Sequence, residues 1–404
     1  MAIIGAGLTG LSAALALAKQ GARVAVLEAH DAGWGASSRN GGMVLSGLKL
    51  APHELVARFG LDEARRLDAV SIAAIDLVER LVREERIDCD FVRCGHLALA
   101  SKPSHYEELA REAALVTQQF GRSVRPISRE KLHEEIGSNV FFGALVDEAS
   151  ASVNPEKLVR GLAQAAQRAG ATIHERTPVT HVKRVSDGGA PRFNIATDRG
   201  DVRARDVIVA TGAYTGLESP WLRRRIIPIG SYIIATEPLT GARALEISPR
   251  ARMMYDSKRF LHYFRLTPDR RMLFGGRASF VPESERAISQ SAQILRRDMI
   301  ALFPQLRDTQ VEFAWGGTVD FTSDMLPHVA VDGGIHYAAG YAGHGVAMAT
   351  YLGLKIADKI AGDATDEDPF MRLPFPGPPL GVHRVIPGLV PAVGAWYRLL
   401  DMVS

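Results

Sequence analysis

The sequence predicts an α/β fold. A parallel-sheet domain of dinucleotide-binding type, assembled from separated segments, is interleaved with a second domain rich in antiparallel sheet. Three observations predict this. Strand, glycine turn, helix and strand follow one another by residue 28, which makes a βαβ unit. A second glycine-rich strand–turn–helix occupies residues 335–360. Between them lies a long stretch of alternating, turn-bounded strands. A chain of 404 residues has room for two or three domains and a large core.

The elements follow in order. Ala2-Ile3-Ile4 reads as a buried strand that Gly5 ends at once. Leu11 to Lys19 is rich in Ala and Leu, good helix formers, and Gly21 sits where a C-terminal cap belongs. Arg23 to Glu28 is the second strand, and 31–48 is a Gly/Ser-rich loop. Helical patterns cover His53 to Phe59, Asp62 to Arg86 and Tyr106 to Phe120, with a short strand at His96 to Ala100. Asn154-Pro155 starts a helix with Asn as N-cap and Pro in the first turn; it runs to about Ala169. Ala171 to His174 is a strand leading to Pro178-Val179. Arg192 to Thr197 and Asp201 to Ala210 form a hairpin around Asp198-Arg199-Gly200. Ile226 to Pro238 and Phe260 to Arg277 are further strands, the latter turning at Thr267-Pro268-Asp269. Ala287 to Phe303 is a helix, and Val311 to Val319 and Ile335 to Ala339 are strands. A helix to about Ile360 follows Gly340 to Gly345.

Composition excludes several classes. Lys plus Arg total 48 against 45 Asp plus Glu, so a strongly electrostatic nucleic-acid binder is not expected. Two cysteines, Cys89 and Cys94, exclude a disulfide scaffold, and their lone C-x4-C spacing does not make a zinc site. No metal site is expected. No apolar run reaches the ~18–20 residues of a membrane span, and the stretch from Val385 is broken by Pro387 and Pro391. No charged region precedes an apolar one at the start, so no signal peptide is expected and the location is read as cytoplasmic. No Ser/His/Asp or Cys/His arrangement supports hydrolase chemistry.

The glycines concentrate in three clusters, and these carry the chemistry. Gly5-Ala6-Gly7-Leu8-Thr9-Gly10 is a full G-x-G-x-x-G between strand and helix. Gly5 permits the tight turn, Gly7 lets backbone approach a pyrophosphate, and Gly10 lets helix and strand pack closely. The helix N-terminus offers N–H groups and partial positive charge to phosphate. Glu28, 18 residues after Gly10, ends the next strand, where an acid accepts from a ribose diol. The second cluster is Gly35-Ala36-Ser37-Ser38-Arg39-Asn40-Gly41-Gly42. A nicotinamide domain has no need of it, whereas a flavin extends beyond the first βαβ and does. Taken alone, it also fits a flexible surface loop. The third is Gly340-Tyr341-Ala342-Gly343-His344-Gly345, followed by a helix whose N-terminus suits the negative charge of a reduced flavin.

Together Gly5 to Gly10, Glu28, the Gly35–Gly42 loop, Val209-Ala210-Thr211-Gly212 and Gly340 to Gly345 resemble the D-amino-acid-oxidase-like flavoproteins, over nearly the whole chain. Within that family the chain is most similar to the members that oxidise gamma-glutamylputrescine. Tyr263-Phe264-Arg265-Leu266-Thr267, Leu273-Phe274-Gly275-Gly276 and Phe375-Pro376-Gly377 add to that similarity. The resemblance implies a Rossmann-type FAD-binding domain (glutathione-reductase-like) from 1–50, 151–215 and 326–365. It implies an α+β substrate domain on an antiparallel sheet from 51–150 and 216–325, and a C-terminal extension over 366–404. It places FAD against Gly5, Gly7, Leu8, Thr9, Gly10, Glu28, Ala29, Ser37, Ser38, Arg39, Asn40, Gly41 and Gly42. Thr211, Gly212, Gly340, Gly343, His344, Gly345 and Val346 complete the set, and Val179 matches the position whose backbone contacts adenine. Members that hold flavin covalently use a Cys ahead of the last glycine cluster. Here that stretch is Trp315-Gly316-Gly317-Thr318-Val319, so non-covalent FAD is expected.

The resemblance also implies amine oxidation. Hydride passes from the carbon bearing nitrogen to flavin N5, the imine hydrolyses, and oxygen or another acceptor takes the electrons, oxygen giving hydrogen peroxide. The substrate expected is a small amine, a gamma-glutamyl polyamine first and glycine, sarcosine or a D-amino acid second. The partners expected are that amine and the acceptor; an oxidase is expected over a dehydrogenase. The chain begins inside the first strand, where relatives carry a longer segment. A truncated, non-catalytic flavin-binding protein is therefore the rival of another class. Met43 stands where the putrescine-pathway relatives have Gln, and Lys258 is the residue nearest in sequence to the family's oxygen-activating lysine. Tyr263 and Arg265 alternate on one strand and so share a face. If that face meets the flavin, Arg265 can bind a carboxylate and Tyr263 can wall the amine; a salt-bridged Arg and a packed Tyr are the plain alternative. Trp315 and His344 complete the catalytic candidates, with Tyr232 and Tyr341 behind them and His262 as a structural residue.

Overall fold

The first strand, Ala2–Ile4, lies inside a six-stranded sheet because every one of its residues is apolar and buried on both faces. The computed structural model describes residues 1–185, 192–279, 283–363 and 367–377, without the side chains of 277–279. Apart from 367–377, the expected C-terminal extension therefore lies outside the described residues. The sheet order is His328–Asp332, Ile335–Ala339, Val207–Val209, Ala2–Ile4, Ala25–Leu27, Thr172–His174. All neighbours run parallel except the edge pair His328–Asp332 and Ile335–Ala339. Segments far apart in sequence thus build one sheet, with Ile3 facing Ile208 and Val26.

Helices cover this sheet. Leu8–Lys19, Pro155–Arg168 and Gly345–Ala361 share one core through Leu11, Val159 and Leu352. The helix Leu61–Glu84 buries Ala64, Leu67, Ile75 and Val78 in that same core. The sequence reading placed this helix with the substrate domain. Its apolar stripe, spaced three and four apart, packs against the helices of the parallel-sheet side. Two glycines allow close backbone contacts. A Cβ on Gly10 would stand 2.0 Å from the carbonyl oxygen of Gly5, and one on Gly353 would stand 2.3 Å from that of Thr9.

The second sheet has eight strands, ordered Val311–Phe321, Ile227–Pro238, Arg271–Ser279, Tyr263–Leu266, Met253–Asp256, His96–Leu99, Gly143–Asp147, Val124–Ser128. It is antiparallel except where Met253–Asp256 meets His96–Leu99. The helix Glu285–Leu302 packs Leu295 and Met299 onto it. Sequence reasoning missed Met253–Asp256, Gly143–Asp147 and Val124–Ser128, short strands whose pattern is completed only by their neighbours. The predicted strand Asp201–Ala210 is two strands. Gly200–Ala204 pairs in a small antiparallel sheet with Arg192–Thr197, and Val207–Val209 enters the parallel sheet. The switch falls at Arg205-Asp206, where alternating Val202 and Ala204 give way to an unbroken apolar run.

Candidate functional site

The carboxyl ends of Ala2–Ile4, Ala25–Leu27, Val207–Val209 and Ile335–Ala339 converge on one cavity of about 780 Å³. That is where an open parallel sheet binds its ligands. Its far wall comes from the eight-stranded sheet, through Ile229, Ser231, Ile233, Tyr263 and Gly276.

Two helices begin at the cavity without a side-chain cap of their own. Leu8–Lys19 starts after Gly7, and Gly345–Ala361 starts after His344. Both therefore present N–H groups and positive dipole ends to the cavity. The Leu8 N–H donates to Ser37 Oγ at 3.0 Å, and a Cβ on Gly7 would meet that oxygen at 2.7 Å. Glu28 is held at its strand end, its carboxylate accepting from the N–H groups of Ala6 (2.7 Å) and His30 (2.9 Å). Thr9 Oγ1 and Tyr341 OH lie 2.6 Å apart, joining the first glycine cluster to the third. Asp320 supports the third from beneath, accepting from the Gly340 N–H at 2.7 Å. Burial pushes the Asp320 carboxyl up, opposed by its backbone donors.

Of the residues expected around FAD, Gly5, Gly7, Leu8, Thr9, Glu28, Ala29, Ser37, Arg39, Asn40, Gly41, Val179, Thr211, Gly212, Gly343, His344, Gly345 and Val346 line the cavity. Gly10, Ser38, Gly42 and Gly340 do not. Gly10 is pressed against Gly5, and Ser38 Oγ donates to the Gly33 carbonyl at 2.6 Å. Gly42 and Gly340 carry positive φ, +68° and +89°, at turns where a Cβ would strike Val153 and Thr322.

The substrate candidates divide. Tyr263 lines the cavity, its ring flat against Gly275 and Gly41 and its OH 3.0 Å from Ser231 Oγ. Burial outweighs that bond and pushes its phenol up to about 12. His344 lines the cavity too; burial, with Lys49 adding to it, pushes its imidazole down to about 4. Arg265 is turned away from the cavity. Its Nε and Nη2 donate to the carbonyls of Gly41 and Val153, both at 2.7 Å, which leaves no fork for a carboxylate. Trp315 also leaves the cavity wall, its indole N–H donating to the Arg39 carbonyl at 2.8 Å. Tyr232 is buried in the core under the sheet. His262 pairs with Asp256 and Asp298 on the opposite face. Lys258 leans toward Asp256 and does not line the cavity. Sequence reasoning missed Lys49, Tyr214, Tyr255 and Asp320, which all do. Only Asp320 gave a signal, as an acid between Val319 and Phe321.

A family model described as FAD dependent oxidoreductase, DAO, matches residues 1–359. The chain belongs to the DAO family of FAD-dependent oxidoreductases. "Probable oxidoreductase OrdL" of Haemophilus influenzae is 34% identical to it over 99% of this chain and 91% of its own length. Gamma-glutamylputrescine oxidoreductase of Escherichia coli is 31% identical over 100% and 92%. Glycine oxidase from Geobacillus kaustophilus shares the fold, with a TM-score of 0.75 at 23% identity over 93% and 98% of the chains. As a DAO-family member the protein takes FAD. The uncapped helix starts, the Gly7 cradle and the cavity volume of about 780 Å³ fit that group. No cysteine is among the residues that line the cavity; Cys89 is buried in the helical core. Among the described residues no group of side chains could hold a metal ion, and no helix is long and apolar enough to cross a membrane.

Proposed function

We propose that this FAD-dependent oxidoreductase oxidises the C–N bond of an amine, a gamma-glutamylputrescine-like substrate, with oxygen as electron acceptor. The observation that carries the reading is the match to gamma-glutamylputrescine oxidoreductase over the full length of the chain. Bound FAD supplies the two-electron acceptor. Leu8, Ser37 and the first glycine cluster would hold its pyrophosphate, Glu28 its ribose, and the start of Gly345–Ala361 its flavin ring.

The remaining steps belong to the protein's own side chains. Tyr263, Ile233, Leu261 and Met43 form a largely apolar wall that excludes water from the reacting carbon. An amine must be neutral to give up hydride, and the low-dielectric wall disfavours the ammonium form. His344 is uncharged at neutral pH, so it adds no second positive charge there. Arg265 is committed to backbone carbonyls, so it is not the residue that would receive a glycine-like substrate's carboxylate. The test is the visible spectrum of the anaerobic flavoprotein before and after gamma-glutamylputrescine. Bleaching supports the substrate. An unchanged flavin that glycine, sarcosine or a D-amino acid then bleaches overturns it. Admitting oxygen and assaying peroxide separates oxidase from dehydrogenase.

A further inference from the structure

Lys49 lies five residues beyond the strand Met43–Val44 and lines the cavity beside Leu45 and Leu48. It is exposed, and it takes part in the cavity wall. Among the described residues it makes no hydrogen bond and no ion pair. Glu54, the acid whose charge it feels, turns its carboxylate to the Ala51 N–H at 2.8 Å.

The other charges on the wall are engaged. Arg39 pairs with Glu283 at 3.1 Å, and Arg259 has a partner. Glu28 holds Ala6 and His30, Glu218 holds the Gly216 N–H, and Asp320 holds Gly340. Lys49 is thus an ammonium with no counter-ion, set among aliphatic side chains and close enough for its charge to act on His344. Such a charge is free to pair with an anion that enters the cavity, in a charge-assisted bond.

We propose that Lys49 is the anion anchor of the substrate end, receiving the carboxylate of the amine to be oxidised. This rests on the amine-oxidation reading and deepens it. The substrate class becomes an amine that also carries a carboxylate. An unmodified diamine is rejected, because its second ammonium meets the Lys49 charge. Arg265 has no part in this recognition.

The test uses the oxidised holoenzyme and no turnover. Flavin absorbance is followed while glutarate, N-acetyl-L-glutamate or the neutral glutaramide is added to wild type, Lys49→Met, Lys49→Gln and Lys49→Arg, each first checked for flavin content. The expected result is a spectral shift with either carboxylate. Its Kd rises about tenfold or more in Lys49→Met and Lys49→Gln and largely recovers in Lys49→Arg, as loss of one charge-assisted bond predicts. Glutaramide binds the wild type about tenfold more weakly than glutarate. Equal Kd values for wild type and Lys49→Gln overturn the proposal. So does equal binding of glutarate and glutaramide, or the absence of any carboxylate effect on the wild-type flavin. Should the substitutions abolish flavin content, the glutarate and glutaramide pair on unaltered enzyme decides alone. If an amine bleaches the flavin while carboxylates do not bind through Lys49, amine oxidation stands and the anchor falls. If no amine bleaches it while binding depends on Lys49, the anchor stands and the amine substrate falls.

Discussion

Replacing Arg265 with Met separates a positioning role from substrate binding. The guanidinium joins the Gly41 carbonyl of the flavin-side loop to the Val153 carbonyl, both at 2.7 Å, from a site that is 4% exposed. Two bonds from a charged donor contribute about 1.5–3 kcal/mol each. The variant gains back the desolvation cost of the guanidinium, which is of order several kcal/mol. Against that, two buried carbonyls are left unpaired at about 1–3 kcal/mol each. The net expectation is a loss of about 2–4 kcal/mol, localised at the loop that faces the cofactor. At about 2 °C per kcal/mol for a chain of this size, the temperature of flavin release falls by about 4–8 °C. Release is read from the rise in flavin fluorescence on heating. Arg265→Lys, which can reach one carbonyl but not both, falls between. The ratio of kcat/KM for gamma-glutamylputrescine to that for putrescine stays as in wild type. An unchanged release temperature, together with a collapse of that ratio, would show that Arg265 binds the substrate and refute the reasoning.

Two further perturbations follow from the geometry. Gly10→Ala puts a methyl 2.0 Å from the Gly5 carbonyl oxygen, backbone that cannot move without opening the first turn. The cost is about 1–3 kcal/mol or more, and the purified variant should carry well under the wild-type ratio of flavin to protein. A variant with full flavin content would contradict the close packing. His262 makes stability depend on pH. Burial lowers its pKa, but bonds to Asp256 and Asp298 outweigh burial and raise it to about 9. Its stabilisation is therefore complete below about pH 6.5 and is lost as pH rises through 9. Unfolding free energies from denaturant titration should fall across that window by about a few kcal/mol, and His262→Gln should flatten the slope. A wild-type profile that stays flat from 6.5 to 9 would rule this pair out.

The cofactor half was legible because its physics is local. A βαβ unit needs its glycines within one turn, and Gly5, Gly7, Gly10 and Glu28 stand at spacings set by strand, turn and helix geometry alone. The same holds for the third cluster, where strand, tight turn and helix start are consecutive. The split of 201–210 into two strands was missed, because the two halves are told apart by the different sheets they join.

The substrate half was not legible, because it is made of contacts between distant segments. Alternation correctly puts Tyr263 and Arg265 on one strand face, yet the tyrosine lies flat on Gly275 at the cavity while the arginine is drawn to carbonyls at 41 and 153. No local pattern distinguishes those fates, since both side chains are long and the carbonyls that draw the arginine lie 112 and 224 residues away in sequence. Trp315 was diverted in the same way by the Arg39 carbonyl. Lys49 carries no signal at all in the sequence; an exposed loop lysine and an unpaired cavity lysine read alike. The sequence by itself determined the parallel-sheet domain and which glycine turns and helix starts would meet at its cavity, because helix dipoles and turn glycines act over one or two turns. Tertiary structure alone decided which charges are spent on backbone and which remain for a ligand, because in a buried wall that choice depends on every neighbour that folding brings within hydrogen-bond reach.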